Sequence, residues 1–211
     1  MHIATILVTR SRSCHVKTLH VMLRFNVMCL EKGHSHEIVY VNDDAHEKAE
    51  ILTKSIKGNS DKILFIDFGV HINDEALAQV FEKQDCVIFP APKEGINWDM
   101  FKDKVLGDTK ENIGQAGLDF DTEIGKKVSD GYYAVKSTIP KTWVMNTKSV
   151  YKALKQKKGQ GIYIPTKISD LFEKLLQKEL KILAFTKAVV TVTYPHECIA
   201  NILQAAGVKV N

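Results

Sequence analysis

No stretch of this chain approaches the roughly 20 apolar residues that a membrane-spanning helix requires. Arg10 and Arg12 interrupt the N-terminal apolar run before it reaches the length of a secretory signal core. Cysteine is scarce: Cys14, Cys29, Cys86 and Cys198 stand far apart, with no CxxC pair, in or beside apolar segments. That pattern implies reduced, mostly buried thiols in a cytoplasmic setting rather than a disulfide framework. Charge of one sign is also lacking. Twenty-nine Lys and Arg against 25 Asp and Glu leave +4, spread along the chain, so no clustered nucleic-acid footprint is present. The first apolar run is followed by Thr9, Arg10, Ser11, Arg12 and Ser13, not by GxGxxG or a GxxxxGK[ST] loop, and neither HExxH nor GxSxG occurs. Ordinary dehydrogenase, kinase and hydrolase chemistries lose their usual signatures.

The 211 residues, 45% apolar and 26% charged, suffice to bury a core without staples. Short β-rich runs alternate with helix-period runs, which predicts an α/β fold with a mixed, mostly parallel central sheet of about six strands flanked by helices. The strands are expected at 3–8, 37–41, 62–66, 86–89, 131–136 and 188–193. A helix is expected from the spacing of Val16, Leu19, Leu23, Val27 and Leu30, with Gly33 as its stop. Others are expected at 47–57, after an Asn73 or Asp74 cap, at 148–157, at 169–181 with Ser169 as cap, and at 197–206. Periodicity fails from 95 to 130, where Trp98 and Phe101 are isolated anchors. Such a segment reads as a binding loop or lid, or as a passive excursion. The expectation is a single domain over 1–211, with a nucleotide-binding half (1–92) and a half for the donor sugar and acceptor (93–211).

Polar residues that follow strands are the candidates for function, because open α/β sheets bind ligands at the carboxyl ends of their strands. Thr9 to Ser13 offers two guanidiniums, three hydroxyls and a following helix N-terminus, suited to a diphosphate; it also reads as a solvated turn with Ser13 capping the helix. Asn42, Asp43 and Asp44 can accept from a base or ribose, or simply make the turn. Asp67 directly follows the buried run Ile63, Leu64, Phe65, Ile66, a position an ion or a nucleotide phosphate can reach.

The order Ile3 to Arg12, then Glu37 to Asp44, then "KILFIDFGVHINDEAL" from Lys62 to Leu77 resembles the nucleotide-binding half of the GT-A glycosyltransferases. In that superfamily such a strand carries a DxD motif that holds Mn²⁺ or Mg²⁺ against the diphosphate of a nucleotide sugar. "TRSR" and "VND" are similar to segments that exostosin-like members use around uridine and phosphates. Over its whole length the chain resembles the N-terminal glycosyltransferase domain of chlorovirus multidomain proteins that build capsid glycans, which implies a viral protein in host cytoplasm with further catalytic domains C-terminal to it.

The resemblance implies that Thr9, Arg10 and Arg12 meet the nucleotide, Asn42 or Asp43 the uridine, and Asp67 the metal. Gly131 and Tyr132 resemble the strand flanking the donor sugar, and Ser169 with Asp170 resembles the acidic pair beside the reacting carbon, which makes Asp170 the catalytic candidate. "PHECIANIL" from Pro195 resembles a closing segment in which His196 would serve the metal or diphosphate. The second Asp of DxD is Gly69 here, so water, phosphates and His196 would have to complete the shell.

The implied activity is metal-dependent transfer of a hexose or deoxyhexose from a UDP-sugar to a carbohydrate or glycoprotein acceptor, leaning to retention. An inactive UDP-binding module is the alternative. A nucleotidyltransferase is a third reading, against which the missing glycine-rich, lysine-containing N-terminal loop counts. Asp170 also reads as a first-turn residue favoured by the helix dipole, His196 as a helix-start histidine, and Trp98 and Tyr132 as core aromatics. Lys152, Lys155, Lys157 and Lys158 read as a solvated face.

Overall fold

Seven consecutive buried residues, Ile3 to Thr9, demand an interior strand with both faces covered. The computed structural model, which describes residues 1–107, 116–156 and 161–193, makes them β1 (His2–Thr9). It is followed by α1 (Val16–Glu31), β2 (Ser35–Asn42), α2 (Ala45–Lys57), β3 (Lys62–Ile66), β4 (Val70–Ile72), α3 (Asp74–Ala78) and β5 (Cys86–Ile88). Then come α4 (Trp98–Leu106), β6 (Thr122–Ser129), β7 (Tyr132–Thr138), β8 (Thr142–Asn146), α5 (Thr147–Leu154), α6 (Ile168–Gln177), β9 (Ile182–Phe185) and β10 (Val190–Val192).

The main sheet has eight strands in the order β2-β1-β3-β8-β5-β9-β7-β6. β1 pairs in parallel with β2 and β3, and β5 with β9; β8 runs antiparallel to β3 and β5, and β7 antiparallel to β9 and β6. β7 and β8 therefore run against the other six, and the expected mixed, mostly parallel α/β sheet is observed. It is wider than the expected six strands for local reasons. β9 lies within a few residues of α6 with no Gly or Pro between them: Lys178 ends the helix and Glu179 adopts φ 57, a left-handed stop made without glycine. β6 is an exposed edge strand with three register irregularities, so it shows no clean alternation. α4, also inside the segment expected to be irregular, is only nine residues long and buries none of them. The expected last strand is shorter and lies outside the main sheet, as β10 paired antiparallel with β4.

Caps correct two further expectations. His15, not Ser13, caps α1, its Nδ1 accepting from the Lys17 N–H. α6 begins after Lys167 without a side-chain cap, so Ser169 lies inside the first turn. Asp44 caps α2 by accepting from the His46 and Glu47 N–H groups at 2.9 Å each, and Asn73 caps α3. The expected 197–206 helix, His196 and Cys198 lie outside the described residues.

Two apolar clusters sandwich the sheet. One lies under α2, α5 and α6 and contains Leu52, Phe65, Trp143, Leu171 and Phe172. The other lies under α1 and α3 and contains Leu7, Met22, Phe25, Leu64 and Leu77. α1 reaches the sheet through Thr18, Val21, Met22, Phe25 and Cys29. Val16, Leu19, Leu23, Val27 and Leu30 are all on its exposed side. The helix carries two apolar stripes, and the one holding the bulky Phe25 is buried. Cys29 and Cys86 are buried free thiols, and burial pushes the Cys29 thiol up to about 11. No helix among the described residues is long and apolar enough to cross a membrane.

Candidate functional site

Parallel pairing brings the ends of β1, β2 and β3 to one edge of the sheet: Thr9 lies beside Asn42, and Leu7 beside Ile66. Just past β1 the chain reverses in a two-residue hairpin. Arg10 N donates to Ser13 O at 3.1 Å and Ser13 N to Arg10 O at 2.9 Å, with Ser11 at φ 49 and Arg12 at φ 60. Two successive non-glycine residues in the left-handed region cost about 1 kcal/mol each, and tight turns of this kind usually place Asn or Gly there. The Ser13 hydroxyl closes the turn on Arg10 O at 2.8 Å. Arg12 is therefore held at the exposed tip, without a hydrogen bond or ion pair to the described residues.

Arg10 sits over the Phe68 ring, its Cζ 5.1 Å from the centroid, and its Nε donates to Asp43 Oδ2 at 2.9 Å. Lys48 Nζ donates to the other Asp43 oxygen at 2.7 Å. Partial burial alone would raise the Asp43 carboxyl, but Lys48 and Arg10 together hold it below the ordinary carboxylate range. Two sequence candidates are committed elsewhere. The Thr9 hydroxyl donates to Val41 O at 3.0 Å, and Asn42 Nδ2 donates to Glu47 Oε2 at 3.0 Å.

Asp67 stands where β3 ends. Its backbone N–H donates to Lys141 O at 2.9 Å, and its Oδ1 accepts from the Phe68 N–H at 2.9 Å. Burial raises its pKa, against the Phe68 hydrogen bond and the Lys141 and Lys48 charges, while Asp43 adds to the rise. Two residues on, Gly69 has φ 74, and a Cβ there would sit 2.4 Å from Thr193 O. A second carboxylate cannot occupy that position without displacing the β4–β10 ribbon.

Lys141 and Lys48 are the charged members of the site that the sequence did not single out. Lys141 lies at the start of β8, a strand missed in the sequence, and its N–H donates to Asp121 Oδ2 at 3.1 Å. Asp121 also accepts from Ala91 N at 3.0 Å and from the Thr122 hydroxyl at 2.9 Å, tying together the chain after β5 and the starts of β6 and β8. Burial raises the Asp121 pKa, opposed by these hydrogen bonds. Lys141 also lines a cleft of about 1780 Å³ whose wall includes Lys93, Phe120, Glu123, Ser169, Glu173 and Lys187.

α6 presents Ser169, Glu173 and Leu176 to that cleft at helical spacing. Asp170 is exposed, is not among the lining residues, and accepts from the Ser169 hydroxyl at 2.9 Å. Tyr132 packs on Phe185 and its hydroxyl donates to Gln79 Oε1, so it belongs with the core aromatics. Gly131, at φ 76, accepts from Thr186 N at 2.9 Å. Trp98 is exposed, in edge contact with Phe101. Lys152 and Lys155 are exposed, as a solvated face requires, and Lys157 and Lys158 lie outside the described residues.

Among the described residues no group of three or more His, Cys, Asp or Glu could cage a metal ion. The donor set does fit a cation of the Mg²⁺ kind, which takes one or two carboxylates and completes its octahedron with phosphates and water. Asp67 is that carboxylate, with Oδ2 free of hydrogen bonds to the described residues.

No known family matches the sequence, and no curated protein matches it either. Solved structures do share its fold. The crystal structure of A197 from STIV aligns with a TM-score of 0.50 at 11% identity, over 92% of this chain and 87% of that one. HddC from Yersinia pseudotuberculosis gives 0.47 at 10% identity over 96% and 99%. A Drosophila galactosyltransferase in complex with manganese, UDP-Gal and xylobiose gives 0.46 at 13% identity over 94% and 74%. At 11% identity the likeness to A197 is one of fold alone.

Proposed function

We propose that the chain is a glycosyltransferase that moves a hexose or deoxyhexose from a UDP-sugar to a glycan acceptor. The observation that carries this reading is the half-buried Asp67 carboxylate at the carboxyl edge of β3, bracketed by Lys48 and Lys141, with Lys141 shared by the large cleft. A phosphate-bearing donor suits the cationic edge, and an extended polar acceptor suits the cleft.

In the reaction, the bond from the anomeric carbon to the diphosphate oxygen breaks and a bond from that carbon to an acceptor hydroxyl oxygen forms. Negative charge grows on the leaving diphosphate, so fixed cations at that position lower the barrier. Arg12 at the hairpin tip and Lys141 at the head of β8 supply them, and Arg10 over Phe68 forms a wall for the uracil. Asp67 would hold a divalent cation against the diphosphate, which when bound supplies further charge neutralisation. The acceptor proton passes to a carboxylate in an inverting reaction, or to the departing diphosphate in a retaining one. Asp170 is the residue proposed from the resemblance, and Glu173, one turn on, is the carboxylate on the cleft wall. Glu173→Gln and Asp170→Asn, compared for kcat at saturating donor, separate the two.

Calorimetric titration of UDP with and without Mn²⁺, repeated on Asp67→Ala, tests the site. Micromolar binding that requires both metal and Asp67 supports the proposal, and no binding under any of these conditions removes it. Gly69 motivates the second reading, a UDP-binding module without catalysis. That module would bind UDP yet release none from any UDP-sugar offered with glycan acceptors.

A further inference from the structure

The outward stripe of α1 is apolar along the whole helix, with Val16, Leu19, Leu23, Val27 and Leu30 between 40% and 77% exposed. Isolated exposed aliphatic residues are ordinary, but an unbroken row of five on one helix face marks a surface built to be covered. Its intervals of three, four, four and three residues read the same in both directions about Leu23. That symmetry points to the occupant. We infer that α1 packs against α1 of a second copy of this chain, antiparallel across a two-fold axis that passes beside Leu23.

In that arrangement Leu23 meets the partner's Leu23, Leu19 meets the partner's Val27, and Val16 meets the partner's Leu30. Each outer pair sets a longer side chain against a shorter one, as interdigitating helices require. A two-fold contact is self-complementary by definition, and a palindromic stripe is the sequence form of that requirement. The charges agree: the first turn of α1 carries Lys17 and the last turn Glu31, so antiparallel packing brings opposite signs to both ends. Lys32, which would spoil this, is turned away with its Nζ 5.0 Å from the Phe81 ring centroid. Five half-exposed aliphatic side chains form the apolar centre of the roughly 800 Å² that each partner contributes to a stable interface.

Sedimentation of the whole chain across the micromolar range tests the inference, independently of any ligand. The wild-type chain is expected at the mass of a dimer. Leu23→Glu, at an exposed position, is expected at the mass of a monomer, with unchanged circular dichroism and a melting temperature that, unlike that of the wild-type chain, does not depend on protein concentration. Leu23→Cys should form a covalent dimer under mild oxidation well above the wild-type background, whereas Glu50→Cys on the outer face of α2 should not. A wild-type chain that stays monomeric throughout overturns the inference, whether residues 194–211 or another protein covers the stripe. Undiminished self-association of Leu23→Glu overturns it equally. If Leu23→Glu fails to fold, the cross-linking comparison decides alone.

Discussion

At Asp67, burial raises the carboxyl pKa, so the native state holds this proton more tightly than the unfolded chain does. Its contribution to stability is complete below the unfolded pKa and is lost as pH rises through the higher folded one. Asp67→Asn keeps the acceptor for the Phe68 N–H and removes the half-buried charge. The variant should melt above the wild-type chain at pH 7, with the gap closing as pH falls toward the ordinary carboxylate range, while metal-supported UDP binding disappears. Thermal melts across that pH span check this. The hairpin tip offers a second separation of stability from function. Arg12→Gly and Ser11→Gly each relieve a left-handed non-glycine residue, and after the added chain entropy of glycine in the unfolded state each should stabilise the fold by about 0.5 kcal/mol in urea unfolding. Only Arg12→Gly should weaken UDP binding. Asp67 and the 9–13 turn were legible in the sequence because a polar residue directly after a buried run marks a strand end. Lys48 and Lys141 were not, because each reaches the site by its strand or helix register, and no local pattern records that.

At the scale of elements, the first ninety residues were legible to within about two residues at each end, β4 excepted, since β1, β2, β3 and β5 are compact runs closed by turn residues, whereas the three-residue β4 pairs only with β10 from the far end of the chain. The second half was legible only in part. β8 is five residues containing Trp143 and Met145, and its neighbours in the sheet, β3 and β5, are more than fifty residues away in sequence. Only the assembled sheet shows that it is a strand. The choice between the two stripes of α1 has the same cause: spacing predicts a helix but not which side meets the sheet. Asp121 is the point where these late elements are fastened. Asp121→Ala would leave the Ala91 N–H and the Lys141 N–H short of an acceptor, while the Thr122 hydroxyl keeps Thr138, costing about 2 kcal/mol in chemical denaturation. UDP affinity should fall with it, through displacement of Lys141.

Across the whole molecule, one sheet is built from both halves of the chain, and its two edges differ. β6 carries Lys126 and Lys127 and is broken by bulges, which discourages pairing with other strands. β2 is eight residues long with unbroken register to β1, on the side where Tyr40 and α1 are exposed. Between these edges the antiparallel β8 is spliced between β3 and β5, so the part of the sheet built from residues 1–92 closes only when the rest of the chain supplies that strand. Residues 1–92 expressed alone should therefore fail to give a cooperative melt, although they contain most of the proposed nucleotide contacts. During synthesis the run Lys62 to Ile66, buried at every position in the finished protein, leaves the ribosome with one edge unpaired until residue 146 has been made. At about 5–20 residues per second that is a wait of several seconds. A short, flat, strongly apolar strand in that state is a seed for aggregation, which makes the nascent chain a natural client of holding chaperones.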